Sequence, residues 1–158
     1  GIDRDFESAF AKSQIASGTI LPQNGNVFIS VKDSDKPLVL EPARFLLELG
    51  FSIIATKGTS NFLNKNNIIS KQINKVLEGS PHIVSYIKEG KIQLIFNTTE
   101  GAQAITDSYD LRREALNQGV PYYTTVEGAK ASVKAITRLR KGSLDVRPLQ
   151  SYLNPLSR

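Results

Sequence analysis

The stretch FSIIATKGTS, residues 51–60, decides between fold classes. Its first part, Phe51 to Thr56, is an apolar run of strand length. Its second part packs a glycine and two hydroxyls into Lys57, Gly58, Thr59 and Ser60. A strand that stops in Thr-x-Gly-Thr ahead of a helical segment aims backbone N–H groups and hydroxyls at one point, as an anion needs. Ordinary strand-to-helix turns use the same residue types, so the stretch alone reads equally as a phosphate seat or a plain turn.

Working outward, SNFLNKN (60–66) reads as a short helix and ISKQINKV (69–76) alternates as a strand. Upstream, NVFISV (26–31) is a short apolar strand, and LVLEPARFLLELG (38–50) is a helix with Pro42 expected in its first turn and Gly50 at its end. Downstream, PHIVSYIKEG (81–90) opens on proline and closes on glycine as a helix, and IQLIFN (92–97) is a fourth strand. DLRREALNQG (110–119) ends a helix, PYYTT (121–125) is a fifth short strand, and GAKASVKAITRLRKG (128–142) is a last helix. Parallel neighbours need a crossover helix to return the chain, so strands alternating with helices predict a three-layer, doubly wound α/β fold with a five-stranded parallel sheet. Ahead of it, DRDFESAFAKSQIAS (3–17) places Phe6, Ala9, Phe10 and Ser13 at helical spacing, and GTILPQNGN (18–26) reads as a connector. The expected division is a leading helix and linker (1–24), an α/β unit (25–141) and a tail (142–158).

A chain of 158 residues is expected to form one domain. No apolar run approaches the roughly 20 residues that a bilayer crossing takes, and the first residues lack the apolar core of a secretory signal. With no cysteine and one histidine, His82, neither disulfides nor thiolate chemistry nor a Cys/His metal centre is expected. The lack of cysteine is compatible with the cytosol. The lack of any methionine leads to the expectation of a piece of a longer chain. A net charge of +5 suits phosphorylated small molecules or polyanions. Its densest part, TRLRKGSLDVR (137–147), has no interleaved aromatics to stack bases, and a helix end attracts cations anyway, so no nucleic acid partner is expected.

Doubly wound sheets take ligands beyond the carboxyl ends of their strands. There, strand one leads into KDSDK (32–36), strand two into TKGT (56–59) and strand four into NTTEG (97–101). Strand five leads into Thr124 and Thr125, and strand three carries Lys75, facing either the crevice or outward. Lysines, threonines, a carboxamide and glycines at one rim suit a phosphate with its sugar or base. Each also has a plain structural reading. Lys36 is a solvated loop lysine, Thr56 or Thr59 a helix cap, and Asn97 to Thr99 an Asx turn. Tyr122 and Tyr123 are a strand pair with one ring buried, and His82 faces solvent or caps a turn.

Taken in order, FISVKDSDK, ATKGTSNFL, NKVLEGSPHI, IFNTTEG, DSYDLRREAL and PYYTT make the chain, from about Gly25 to Arg138, resemble a known family. It is similar to the C-terminal allosteric domain of the carbamoyl phosphate synthetase large subunit, a member of the methylglyoxal synthase-like fold family. The leading helix resembles the end of the catalytic segment that precedes this domain. The resemblance implies an allosteric module binding the nucleoside monophosphates UMP, an inhibitor, and IMP, an activator. It assigns the phosphate to Lys36, Thr56, Thr59 and Lys75, with Gly58 giving the backbone room to approach. Ser30, Asn97, Thr98, Thr99 and Asp107 fall on the ribose and base side, and Tyr122 and Thr124 in an ornithine site shared with a neighbouring domain. It further implies a cytoplasmic parent enzyme that makes carbamoyl phosphate for arginine and pyrimidine synthesis, using ATP with Mg or Mn. Partners would be the other large-subunit domains, a glutaminase small subunit and further copies of the parent. The domain itself would hold no cofactor and no catalytic residue. Methylglyoxal synthase needs a Gly-Gly-Asp loop and further histidines, whereas strand four here runs into NTTEG. A stand-alone lyase of that type is the alternative.

Overall fold

A parallel strand covered on both faces is apolar at successive positions rather than alternate ones. Three strands have that character: β1 (Asn26–Ser30), β2 (Ser52–Thr56) and β4 (Leu94–Asn97). β3 (Ser70–Ile73) and β5 (Tyr122–Tyr123) are shorter or more polar. The structure is a computed structural model and describes residues 1–74, 79 and 82–153, without the side chains of Gln103, Asp107 and Leu153. In it all pairings are parallel and the order is β3-β2-β1-β4-β5, so the apolar strands are central and the more polar ones form the edges. The expected doubly wound sheet is the one observed. The order reverses between β1 and β4, which opens a crevice at their carboxyl ends.

The helices are α1 (Phe6–Ala16), α2 (Lys36–Glu48), α3 (Lys57–Lys65), α4 (Ile83–Lys88), α5 (Gly101–Asp107), α6 (Tyr109–Asn117), α7 (Val126–Arg140) and α8 (Gln150–Leu153). Strand alternation divides the core into two layers. Val27, Ile29, Ile53, Ala55, Leu94 and Phe96 pack with Ala11 of α1, Val39 and Leu46 of α2, Leu63 of α3 and Val133 and Ile136 of α7. On the other face Phe28, Ile54, Ile73 and Ile95 pack with Ile83 and Ile87 of α4 and Leu111 and Ala115 of α6. α1 thus shares the core of the sheet. Its start is capped by Asp5, whose carboxylate accepts from the Ser8 N–H at 2.8 Å.

Two helix starts lie earlier than the sequence suggests. α2 begins at Lys36, after a 3-10 turn over Asp33–Asp35, so Pro37 takes the first-turn position and Pro42 lies buried inside the helix. Pro37 is tolerated because a first-turn N–H has no intrahelical partner to lose; Pro42 forgoes one intrahelical bond. α2 ends as expected, with Gly50 at φ +80° and the Phe51 N–H donating to the Leu46 carbonyl at 2.9 Å. α3 begins at Lys57, with Gly58 inside its first turn, so that glycine interrupts nothing.

Candidate anion site at the carboxyl rim

The period of two that buries Phe28, Ile54 and Ile95 beneath α4 and α6 turns the residue two positions further on toward the same face. Those residues are Ser30, Thr56 and Asn97, the last of each central strand. Ser30 stands opposite Asn97 in the register, and its hydroxyl lies 3.1 Å from that of Thr56. A polar row therefore crosses the switch point on top of an apolar layer. Thr56 and Asn97 are only 6% and 4% exposed.

Thr56 holds the cap position of α3, but its side chain makes no capping bond and its hydroxyl meets Ser30 instead. The first-turn N–H groups of a helix have no intrahelical acceptors, and among the described residues no side chain caps them. They carry the positive end of the helix dipole. Thr59, also buried, accepts the Val31 N–H on its hydroxyl at 3.3 Å, which leaves that hydroxyl's own hydrogen to donate. Thr98 accepts the Lys32 N–H at 3.1 Å and donates its own N–H to the Ser30 carbonyl at 3.1 Å. Thr59 and Thr98 thus pin the segment after β1 from both sides and fix where α2 starts.

That start carries Lys36. A Cβ built on Gly58 would lie 3.5 Å from the Lys36 ammonium, which places the charge against the first turn of α3. The ammonium is paired with Asp33 at 2.6 Å, and this partner holds the Asp33 carboxyl below its ordinary range. Gly58 matters here for the space it leaves rather than for an unusual backbone angle.

On the other side of the crevice Asn97 is committed inward. Its Nδ2 donates to the Ser108 hydroxyl at 3.1 Å and to the Tyr122 hydroxyl at 2.5 Å. Tyr123, pointing to the opposite face, donates to Gln14 Oε1 at 2.8 Å, and its ring lies 6.5 Å from Phe10 and 6.1 Å from Phe96. Burial pushes the Tyr123 hydroxyl up to about 12.

Of the residues singled out in the sequence, Lys36, Thr56, Gly58, Thr59, Ser30, Asn97 and Thr98 come together at this rim. Thr99 follows β4 half-buried, Thr124 follows β5 exposed, and Asp107 closes α5 with its side chain outside the described residues. Lys75 also lies outside the described residues. Tyr122 meets Asn97, so residues expected at two separate sites are in direct contact. His82 is the cap of α4, its Nδ1 accepting from the Ser85 N–H at 3.4 Å. Sequence reasoning missed the roles of Asp33 and Ser108. The spacing of three between Asp33 and Lys36 was a usable signal; nothing in the sequence marks Ser108 as the acceptor for Asn97.

Among the described residues no helix is long and apolar enough to cross a membrane, and no three His, Asp or Glu side chains gather as metal ligands. The arrangement can bind an oxyanion through an ammonium, hydroxyls and backbone N–H groups.

Comparison with known proteins bears on the family. The family described as the MGS-like domain matches residues 38–124, more than half of the chain. The carbamoyl phosphate synthase large chain of Mesorhizobium japonicum is 52% identical over 96% of this chain and 13% of its own length. That of Myxococcus xanthus is 50% identical over 97% of this chain and 14% of its own length. The protein named carbamoyl phosphate synthase large chain, C-terminal section, of Methanocaldococcus jannaschii is 45% identical over 92% of this chain and 24% of its own length. The chain therefore spans about an eighth of the length of the first two and a quarter of the third. With its strand order, its switch-point crevice and this match, the chain belongs to the MGS-like domain family.

Proposed function

We propose that the chain is the regulatory, effector-binding unit of a carbamoyl phosphate synthase large chain and takes the phosphate of a nucleoside monophosphate at the rim of β1 and β2. The observation that carries this reading is the Lys36 ammonium set against the first turn of α3 at Gly58, where the Thr56 side chain makes no capping bond, beside the Ser30–Thr56 hydroxyl pair and Thr59. Three independent donor types converge there, and a phosphate has the oxygens to accept from all of them. The ribose and base would extend toward Asn97, Thr98, Thr99 and Asp107 across the switch point, with Lys75 completing the phosphate side. UMP as inhibitor and IMP as activator are the proposed ligands. Tyr122 and Thr124 would contribute to an ornithine site with the rest of the parent chain.

In that setting the unit performs no chemistry. It would alter a cytoplasmic synthase, working with a glutaminase subunit and using ATP and Mg or Mn to make carbamoyl phosphate for arginine and pyrimidine synthesis. Coupling requires that each effector bind two states of the larger enzyme with different affinity. Binding itself belongs to this chain and is testable on it. Calorimetry with UMP and with IMP is expected to show saturable heat at millimolar concentrations or below. Lys36→Ala is expected to weaken both by about tenfold or more, as for a lost charge-assisted hydrogen bond, with little change in thermal stability. No saturable heat from either nucleotide overturns the reading.

A further inference from the structure

We infer that Asp33 is an internal anion that competes with the bound phosphate for Lys36, and that it thereby sets the affinity of the site. The inference rests on the phosphate-site reading above and deepens it. Asp33 and Lys36 form a 2.6 Å ion pair in which the partners are very unequally placed: the lysine side chain is 18% exposed and the aspartate 94%. An ion pair with one member so open to water adds little to folding stability. Its effect falls instead on the ammonium, which points at the first turn of α3 and is already engaged. A phosphate arriving at Gly58 must draw Lys36 away from Asp33 or share it with a carboxylate of its own sign. Both raise the free energy of the bound state. Affinity is the difference between two anions at one cation, and the exposed one is the one a substitution can remove without disturbing the core.

The geometry also separates Asp33 from its neighbour. Asp35 lies in the same turn, at the cap position of α2, and makes no ion pair with Lys36 among the described residues. A general effect of negative charge at the mouth would act through both carboxylates; competition for the ammonium acts through Asp33 alone.

The test is calorimetric titration of the chain with inorganic phosphate and with UMP at low ionic strength, on wild type, Asp33→Asn, Asp35→Asn and Lys36→Gln, and on Asp33→Asn combined with Lys36→Gln. Asp33→Asn is expected to tighten both ligands by about three- to tenfold, on the scale of one exposed ion pair and one like-charge contact. Asp35→Asn is expected to change affinity by less than about twofold, and the gain from Asp33→Asn is expected to vanish when Lys36 is already glutamine. If wild type binds and Asp33→Asn binds no tighter, the competitor is not Asp33 and the inference fails while the site stands. An equal gain from Asp35→Asn, or a gain that survives in the Lys36→Gln background, also overturns it, since the cause is then the field of the mouth. If neither wild type nor Asp33→Asn binds phosphate or UMP, the underlying site reading falls and takes the inference with it.

Discussion

The two sides of the crevice are built from the same kinds of residue and use them in opposite ways. On the β1–β2 side the polar groups keep capacity to spare. Among the described residues, Ser30 and Thr56 share one contact, no side chain caps the start of α3, and Lys36 pairs with an exposed carboxylate that it can release. On the β4–β5 side the buried donors of Asn97 and Tyr123 are committed to the protein. Asn97 donates to Ser108 and Tyr122, and Tyr123 donates to Gln14. A buried polar group with all its partners inside stabilises one arrangement, whereas a group with capacity left can exchange partners with a ligand. The contrast predicts that substitutions on the first side change binding more than stability, and that those on the second do the reverse.

The sharpest way to break that contrast is Gly58→Asp. The position is exposed and helical, and its Cβ would stand 3.5 Å from the Lys36 ammonium, so a carboxylate there meets both the cation and the helix dipole. Aspartate gains a few tenths of a kcal/mol over glycine in a helix, and an acid in a first turn adds about 0.3–1 kcal/mol. The melting temperature is expected to rise by about 2–4 °C. Phosphate and UMP affinity is expected to fall by about a hundredfold, because a fixed anion then occupies the site. A variant that is both destabilised and still competent to bind phosphate would show that the α3 end is not where the anion sits.

Asn97→Ala probes the other side. It removes two donated hydrogen bonds from a side chain that is 4% exposed and leaves the Ser108 and Tyr122 hydroxyls without this partner. A loss of about 2 kcal/mol, or about 4–8 °C in melting temperature, is expected in urea and thermal unfolding. Lys36→Ala serves as the reference with little loss. Equal stability losses in the two variants would erase the distinction between the sides.

The division of labour was only half legible in the chain. The five strands and their parallel direction follow from apolar runs set between helices, and the row of Ser30, Thr56 and Asn97 follows from a period of two once the strand ends are known. α3 starts ahead of the expected 60–66 because TKGT, which reads as a turn, is also compatible with a first helical turn, where a glycine breaks nothing. The start of α2 was misjudged for a similar reason: two prolines, Pro37 and Pro42, compete for the first-turn position, and the buried face of the helix decides between them. The contacts that commit the β4–β5 side were beyond reach. Tyr123 and Gln14 are 109 positions apart, and Asn97 and Tyr122 are 25 apart; no local pattern links either pair. Composition shows that hydroxyls and amides gather at a rim, but only packing shows which of them are already spoken for.

The smallest expected effect tests how dry the committed side is. Tyr123→Phe keeps the ring between Phe10 and Phe96 and removes only the hydroxyl that reaches Gln14. At neutral pH a loss of about 1 kcal/mol is expected, with faster hydrogen exchange in α1, which that bond ties to the sheet. The pH dependence carries the sharper information. Burial raises the hydroxyl from 10.0 to about 12, so below pH 10 it is neutral in both folded and unfolded chains and adds no slope. Between pH 10 and about 12 the unfolded chain ionises first, and wild type loses a component of stability that the phenylalanine variant cannot lose. In urea unfolding at each pH, the advantage of wild type over Tyr123→Phe is therefore expected to shrink across that interval. An advantage that stays constant from pH 9 to 12 would mean that water reaches the hydroxyl, and that the β4–β5 side is less closed than its hydrogen bonds imply.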